Sequence, residues 1–284
     1  MNWYISAIIS VIALTGQFLC MKKLQASFPI TTYLAYIWLG GAITLGVLFV
    51  RPTPYLTLTN VGILAVGSVA SWAGMYSYNL AIRYQSNLGY IEALSSTRVI
   101  ITYCVSLLFF NAVPDVLKLF AVVGVVIGVI MVAGSRNRDR QKERNFWVLW
   151  AALSGVFFAI VITCTKVVLA RGLDTYTTAA AILLGAGLIY ISSAVLNHTS
   201  LKISGGILTV SLAIVLAAAG NVFAFTAFGK APNLAYAVAI SNSRIILLYL
   251  IAVLTHSDKL EFSRAIGVIL AFVCVALFSF DFIS

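Results

Sequence analysis

Apolar runs of about 20 residues follow one another along almost the whole chain, and they constrain the fold more than any other feature. As a helix, a run of about that length crosses the hydrocarbon core of a membrane. Only 9% of the 284 residues are charged, against about 25% in a soluble domain. Lipid is therefore the solvent that fits, and the chain is predicted to be an all-α integral membrane protein.

Counting these runs predicts ten transmembrane helices. They lie at residues 3–21, 31–50, 58–82, 87–110, 116–134, 146–170, 175–196, 206–229, 233–255 and 262–280. The net charge of +10 could suggest nucleic acid, but the basic residues form no DNA- or RNA-reading motif. No cysteine pair or histidine cluster has the spacing of a metal site, so neither a metal nor a cofactor is predicted.

The two halves of the chain resemble each other. NLGYIEALSSTRVIITY (87–103) and NLAYAVAISNSRIILLY (233–249) are identical at eight of 17 positions. CMKKLQA (20–26) and CTKVVLA (164–170) share Cys, Lys and Ala. The offsets between the matching segments, 146 and 144 residues, are nearly constant, which indicates an internal duplication.

The duplication predicts three parts: a first five-helix repeat at 1–134, a basic linker loop at 135–145 and a second five-helix repeat at 146–284. Because each repeat has an odd number of helices, the second crosses the membrane upside down relative to the first. Such inverted repeats place a substrate site near the bilayer midplane and let it open to either side in turn.

The segments YQSNLGYIEALSSTR and KAPNLAYAVAISNSR, opening the fourth helix of each repeat, resemble the drug/metabolite transporter superfamily, EamA-like branch. SDKLEFSRAIGVIL (257–270) resembles that family's turn with a Glu, whereas the first repeat has Asp115 in NAVPDVLKL. The resemblance covers nearly the whole chain. It implies a ten-helix transporter but no particular substrate, since the family moves amino acids, sugars, nucleotide conjugates, amines and drugs.

Two arginines, Arg98 and Arg244, stand in the middle of apolar runs at equivalent repeat positions. In one interpretation they bind an anionic group of the substrate, because guanidinium pairs bidentately with carboxylate or phosphate. In the other, they pair with Glu92 or with helix-end carbonyls and lock the halves together. A Glu92–Arg98 pair is not expected, because six residues leave the two side chains about 120° apart around a helix. A Glu92–Arg244 pair is feasible.

Glu92 is the one acidic residue clearly inside a predicted helix, and its repeat counterpart is Val238. An ionisable residue inside a membrane is a functional candidate by default. Proton coupling or amine binding remains open beside a salt bridge to an arginine.

The remaining candidates for substrate contact are hydroxyl and amide groups near the arginines, aromatic rings and two repeat-equivalent lysines. They are Ser95, Ser96, Ser241, Asn242, Tyr103, Tyr249, Trp72, Tyr78, Lys22 and Lys166. Interfacial packing of the rings and snorkelling of the lysines to headgroups are the alternatives.

The predicted function is secondary transport of a small polar metabolite, carrying a carboxylate or phosphate, by alternating access, with protons as a candidate coupling ion. The alternative is transport of organic cations held by Glu92 and aromatic rings, and more distant ones are a channel or a membrane enzyme. The predicted location is a bacterial cytoplasmic membrane. Eleven basic residues lie on the side of the central loop and four opposite, so positive charge predicts a cytoplasmic loop and external termini. Family analogy suggests cytoplasmic termini instead.

Overall fold

The computed structural model describes residues 2–50, 55–85, 87–110, 116–133, 141–255 and 262–277. Within these residues every regular element is an α-helix. The helices are α1 Trp3–Gln25, α2 Ile30–Leu48, α3 Leu58–Tyr84, α4 Leu88–Ser95, α5 Thr97–Phe109, α6 Val116–Ala133, α7 Gln141–Ala170, α8 Thr175–Leu196, α9 Ile207–Lys230, α10 Leu234–Asn242, α11 Arg244–Leu254 and α12 Phe262–Leu277.

Eight spans among the described residues are long and apolar enough to cross a membrane, with α4–α5 and α10–α11 each counted as one span. Shorter apolar helices occur at Val123–Val132 and Ala265–Cys274. The predicted fold class, an all-α membrane protein of the ten-helix type, is confirmed. Most of the predicted linker, 135–140, lies outside the described residues, as do the turn residues Asp115 and Glu261.

The fourth and ninth predicted helices are not continuous. Each is interrupted by one serine, Ser96 between α4 and α5 and Ser243 between α10 and α11. Val99 N–H donates to Ser96 O at 2.9 Å, and Ile246 N–H donates to Ser243 O at 3.2 Å. These bonds span three residues, so each break is a single turn with the hydrogen-bond spacing of a 3₁₀ helix.

One compact unit contains residues 77–159 and 231–284. In it α4 packs against α11, α5 against α10 and α6 against α12. The first half of each broken helix therefore packs against the second half of the other, as expected of inverted elements. A Cβ added to Gly89 would lie 2.5 Å from Tyr249 Cβ, so glycine is what lets α4 approach α11 so closely.

The other compact unit contains residues 1–76 and 160–230. Here α1 packs against α9, and α2 packs against α8 and α9. A Cβ on Gly16 would lie 2.9 Å from Leu216 Cδ1, and a Cβ on Gly220 would lie 2.6 Å from Leu14 Cδ2. Small residues at such contacts provide the close van der Waals packing that associates helices in lipid.

Each compact unit combines segments from both predicted repeats, because α3 is divided at Tyr76 and α7 at Ala159. The unit boundaries therefore differ from the predicted domain boundaries at 134 and 146. The division into two sequence repeats describes duplication of the chain and stays a prediction.

Candidate functional site

The half-helices that carry the candidate residues begin at equivalent asparagines. Asn87 Oδ1 accepts a hydrogen bond from Gly89 N–H at 2.9 Å and starts α4. Asn233 Oδ1 accepts from Ala235 N–H at 2.9 Å and starts α10. An asparagine side chain in this position satisfies an N–H group that has no partner within the helix. The shared Asn of the two motifs is thus a helix cap.

Arg98, at the start of α5, is held at all three of its side-chain nitrogens. Its Nε donates to Asn242 Oδ1 at 2.8 Å and its Nη1 donates to Ser95 Oγ at 3.2 Å. Its Nη2 donates to Asn242 Oδ1 and to Glu92 Oε1. The guanidinium carbon also lies 5.5 Å from the centroid of the Phe158 ring, within cation–π range. These contacts fix Arg98 in place.

The contact between Arg98 and Glu92 corrects the sequence-based expectation that the two would not pair. That expectation assumed an unbroken α-helix. The 3₁₀ geometry at Ser96 advances the chain by about 120° per residue in place of about 100°, which turns Arg98 towards Glu92. The length of the arginine side chain covers the remaining distance.

Glu92 also receives Arg244, as the sequence had indicated to be feasible. Arg244 Nε donates to Glu92 Oε1 at 2.8 Å. Both arginines therefore share one oxygen of the same carboxylate. The second oxygen, Oε2, is buried and has no hydrogen-bond partner among the described residues. Because the counterpart of Glu92 is Val238, the cluster has one acid for two bases.

These three residues are the only charged side chains buried among the described residues. Arg98 is 2% exposed, Arg244 5% and Glu92 0%. In this conformation the guanidinium groups are enclosed by protein and do not line an open cavity. The cluster is therefore closed in this state, and the contacts with Glu92 correspond to the locking interpretation of the arginines.

Some of the hydroxyl and amide candidates bind Arg98, and others make contacts within their own helices. Asn242 and Ser95 bind Arg98 directly. Ser96 Oγ donates to Glu92 O at 2.7 Å, a bond within its own helix turn. Ser241 is buried next to Asn242 in α10.

Helix α7 also contributes residues to the site, and the sequence did not predict them. Ser154 Oγ donates to Ser95 Oγ at 3.0 Å, one helical turn before Phe158. Between them, Gly155 lets α7 approach α4, because a Cβ there would lie 2.7 Å from Ser95 O. These residues lie outside the duplicated motif, and their serine-to-phenylalanine spacing of four residues is too common to have marked them.

Three candidate tyrosines lie in the same unit as the arginines. Tyr78 is fully buried beside Glu92, and its ring centroid is 6.5 Å from that of Phe158. Tyr249 contacts Tyr90, with ring centroids 5.7 Å apart. Tyr103 is buried in α5.

The other unit contains Trp72, Lys22 and Lys166. Tyr190 donates its hydroxyl to Trp72 O at 2.7 Å. Lys166 Nζ donates to Gly229 O at 3.2 Å, in the last turn of α9, where helix carbonyls have no partner within the helix. This contact favours a capping role for Lys166. Lys22 lies half-buried in the last turn of α1.

That unit also contains a cavity of about 500 Å³ that sequence reasoning missed. It opens between the ends of α7 and α9 and the start of α8. Its lining contains both apolar and polar residues: Leu169, Leu173, Asp174, Thr175, Tyr176, Val222, Phe223, Thr226, Gly229 and Lys230.

Within the described residues, no group of three or more His, Cys, Asp or Glu residues could hold a metal ion. What the fold and the site define is a polytopic helical membrane protein with an enclosed charged cluster between two broken helices.

Comparison with known proteins identifies this class further. Residues 1–134 match the EamA-like transporter family, a marker of the drug/metabolite transporter superfamily, so the predicted resemblance is confirmed over these residues. The match supports a membrane transporter in general. One solved crystal structure of a protein has a TM-score of 0.69 to this chain, covering 97% of this chain and 98% of its own at 16% identity. That similarity shows the fold. No curated protein matches the chain.

Proposed function

We propose that this protein is a secondary transporter of a small polar metabolite bearing a carboxylate or phosphate, working by alternating access in a bacterial cytoplasmic membrane. The observation that carries the proposal is the composition of the buried cluster. Two guanidinium groups face one carboxylate. Asn242 Nδ2 is a further buried donor without an acceptor among the described residues. Such a cluster has an excess of positive charge and a donor without an acceptor, which a ligand with acceptors and negative charge would compensate.

The architecture around the cluster supports transport. Both arginines stand within two residues of a helix break, at Ser96 and Ser243. Broken helices near the midplane are typical of the binding sites of transporters with inverted repeats. Because the cluster is enclosed here, a ligand reaches it only after the helices move, as alternating access requires.

The same geometry disfavours organic cations. A cation that approaches the Glu92 carboxylate comes close to the guanidinium groups of Arg98 and Arg244, which both donate to its Oε1. Two positive charges at that oxygen repel a third.

The experiment is counterflow into proteoliposomes, after a thermal-shift screen of carboxylates, phosphates and organic cations on the purified protein. We expect carboxylates or phosphates to raise the melting temperature. We also expect unlabelled substrate inside the vesicles to accelerate uptake of labelled substrate. A channel gives no such acceleration.

The matched variants are Arg244→Gln and Arg83→Gln. Arg83 is exposed near the end of α3, so its loss should leave anion uptake unchanged. Arg244→Gln should abolish uptake while the protein still elutes as a folded species. Stabilisation and transport of organic cations alone, by both variants, would overturn the proposal.

A further inference from the structure

The enclosed cluster has a defined charge. Arg98, Arg244 and Glu92 are the charged side chains buried in the described part of the chain, giving two positive charges against one negative. The other groups of the cluster in the described part of the chain are neutral: Asn242, Ser95, Ser154 and the Tyr78 hydroxyl. The described parts of α6 and α12, which pack against α4, contribute no buried charged side chain. Counted over the described residues, the formal charge of the site is therefore +1.

We infer that Glu92 sets the charge number of the ligand, so that the site takes one net negative charge and discriminates against dianions and zwitterions. The inference rests on the proposed function and specifies its substrate class. It makes Glu92 a specificity-determining residue and assigns it no part in proton coupling.

The first reason is that Glu92 is fixed inside the cluster. Its Oε1 accepts from an arginine on α5 and an arginine on α11, so the carboxylate cannot leave without breaking both contacts. A bound monoanion then brings the site to neutrality, the least costly state for a buried group of charges. A dianion would leave one uncompensated negative charge, and a zwitterion would leave the original positive charge in place.

The second reason is that the other carboxylate oxygen, Glu92 Oε2, is also buried in the cluster. A second negative charge on the ligand would meet this oxygen in an environment of low polarity. A unit charge a few Å away in a partly buried site changes affinity by about tenfold or more. Glu92 therefore repels the second charge of a dianion more strongly in this buried site than it would in water.

A substitution at Asn242 can lower the formal charge of the site, whereas Glu92→Gln raises it. Its Oδ1 accepts from both Nε and Nη2 of Arg98. An aspartate in its place can accept the same bonds in the bidentate arrangement that arginine favours. The variants Asn242→Asp, wild type and Glu92→Gln therefore form a series of formal charge zero, one and two. Glu92→Asp is the matched control, because it keeps the charge.

The experiment measures binding of propionate, malonate and alanine, which share a three-carbon skeleton, by thermal shift and titration in detergent at constant ionic strength. We expect the wild type to bind propionate more tightly than malonate or alanine. In Glu92→Gln the preference should move towards malonate by about tenfold or more. Glu92→Asp should keep the wild-type order, and Asn242→Asp should lose propionate binding.

The outcomes separate this inference from the proposed function. If the wild type binds the acids but the propionate-to-malonate ratio is the same in Glu92→Gln and Glu92→Asp, the charge inference is wrong and anion handling stands. If alanine is preferred by the wild type, Glu92 pairs an amine and the charge inference is also wrong. If neither these acids nor any carboxylate or phosphate of the thermal-shift screen binds any variant, both proposals are wrong. Should Glu92→Gln fail to fold, a wild-type propionate affinity in Asn242→Asp overturns the inference by itself.

Discussion

Glu92 accepts hydrogen bonds from Arg98 and Arg244 through a single carboxylate oxygen, so one acid holds the two arginines of the duplicated motif. The duplicated motif identified both arginines and the one intramembrane acid, because a charge in an apolar run is conspicuous. The partners of each charge depended on rotation at Ser96 and on which atoms the side chains reach. Hydropathy and spacing carry no information on either, so the Arg98–Glu92 contact was predicted wrongly and Ser154 was not predicted.

The anchoring of Arg98 leads to a prediction about stability. Arg98→Gln removes the donors that bind Asn242 Oδ1 and one of the two arginines that contact Glu92, which keeps its contact with Arg244. Leaving a buried acceptor unsatisfied costs about 1–3 kcal/mol. We expect a lower melting temperature in detergent than that of the wild type, whereas the exposed control Arg83→Gln should stay within about 0.5 kcal/mol of wild type. A melting temperature for Arg98→Gln equal to that of the control would show that the cluster does not stabilise the fold.

For Lys166 we predict a loss of stability without a loss of transport. Its contact with Gly229 O is a structural cap at the end of α9. Lys166→Met keeps the apolar stem and removes the donor, so we expect a loss of about 1–2 kcal/mol of stability. Transport should persist at the wild-type KM. An increase in KM of tenfold or more, with the protein still folded, would return Lys166 to the set of substrate-binding residues.

At the scale of helices, the sequence predicted the spans far better than their interruptions. Length and hydropathy locate a membrane helix because they average over about 20 residues. A 3₁₀ break changes the partners of only a few hydrogen bonds, and the polar runs SSTR and SNSR around Ser96 and Ser243 do not by themselves indicate one. Asn87 and Asn233 are identical positions of the two motifs. The sequence did not predict that each of them caps the start of a half-helix.

The close approach of α4 and α11 leads to a matched pair of glycine substitutions. In Gly89→Ala the new Cβ would lie 2.5 Å from Tyr249 Cβ and 2.6 Å from Tyr249 Cα, so the backbones must separate. Overpacking of this kind costs about 1–3 kcal/mol. Gly62 in α3 has nothing within 4 Å of an added Cβ.

We therefore expect Gly89→Ala to lower the melting temperature and to weaken anion binding, because α4 carries Glu92 and α11 begins with Arg244. Gly62→Ala should be neutral or slightly stabilising, since alanine favours helix by about 1 kcal/mol over glycine. Equal melting temperatures for the two variants would contradict the packing described for α4 and α11.

At the scale of the whole molecule, duplication in the sequence and compactness in the structure follow different boundaries. The repeats were recognised from offsets between matching segments, a one-dimensional signal. The compact units each draw on both halves, because α3 and α7 are shared between them. No local pattern marks the points at Tyr76 and Ala159, which lie within unbroken helices, so sequence alone could not locate them.

The orientation of the molecule in the membrane remains a prediction from charge, and two exposed loop residues can test it. Arg171, after α7, lies on the predicted external side, and Lys202, between α8 and α9, lies on the predicted cytoplasmic side. The positive-inside rule assigns these sides because basic residues accumulate in cytoplasmic loops. The substitutions Arg171→Cys and Lys202→Cys, each in a background with the four native cysteines replaced by serine or alanine, form a matched pair.

A membrane-impermeant maleimide applied to intact bacterial cells reacts with a thiol only where water on the external side reaches it. We expect labelling of the Arg171→Cys protein and none of the Lys202→Cys protein until the cells are permeabilised. The reverse pattern would mean that the termini are cytoplasmic and that the charge bias of this chain does not determine its orientation. Because the cavity bounded by Asp174 and Lys230 is at the same helix ends as Arg171, the labelling result also fixes which side of the membrane that cavity faces.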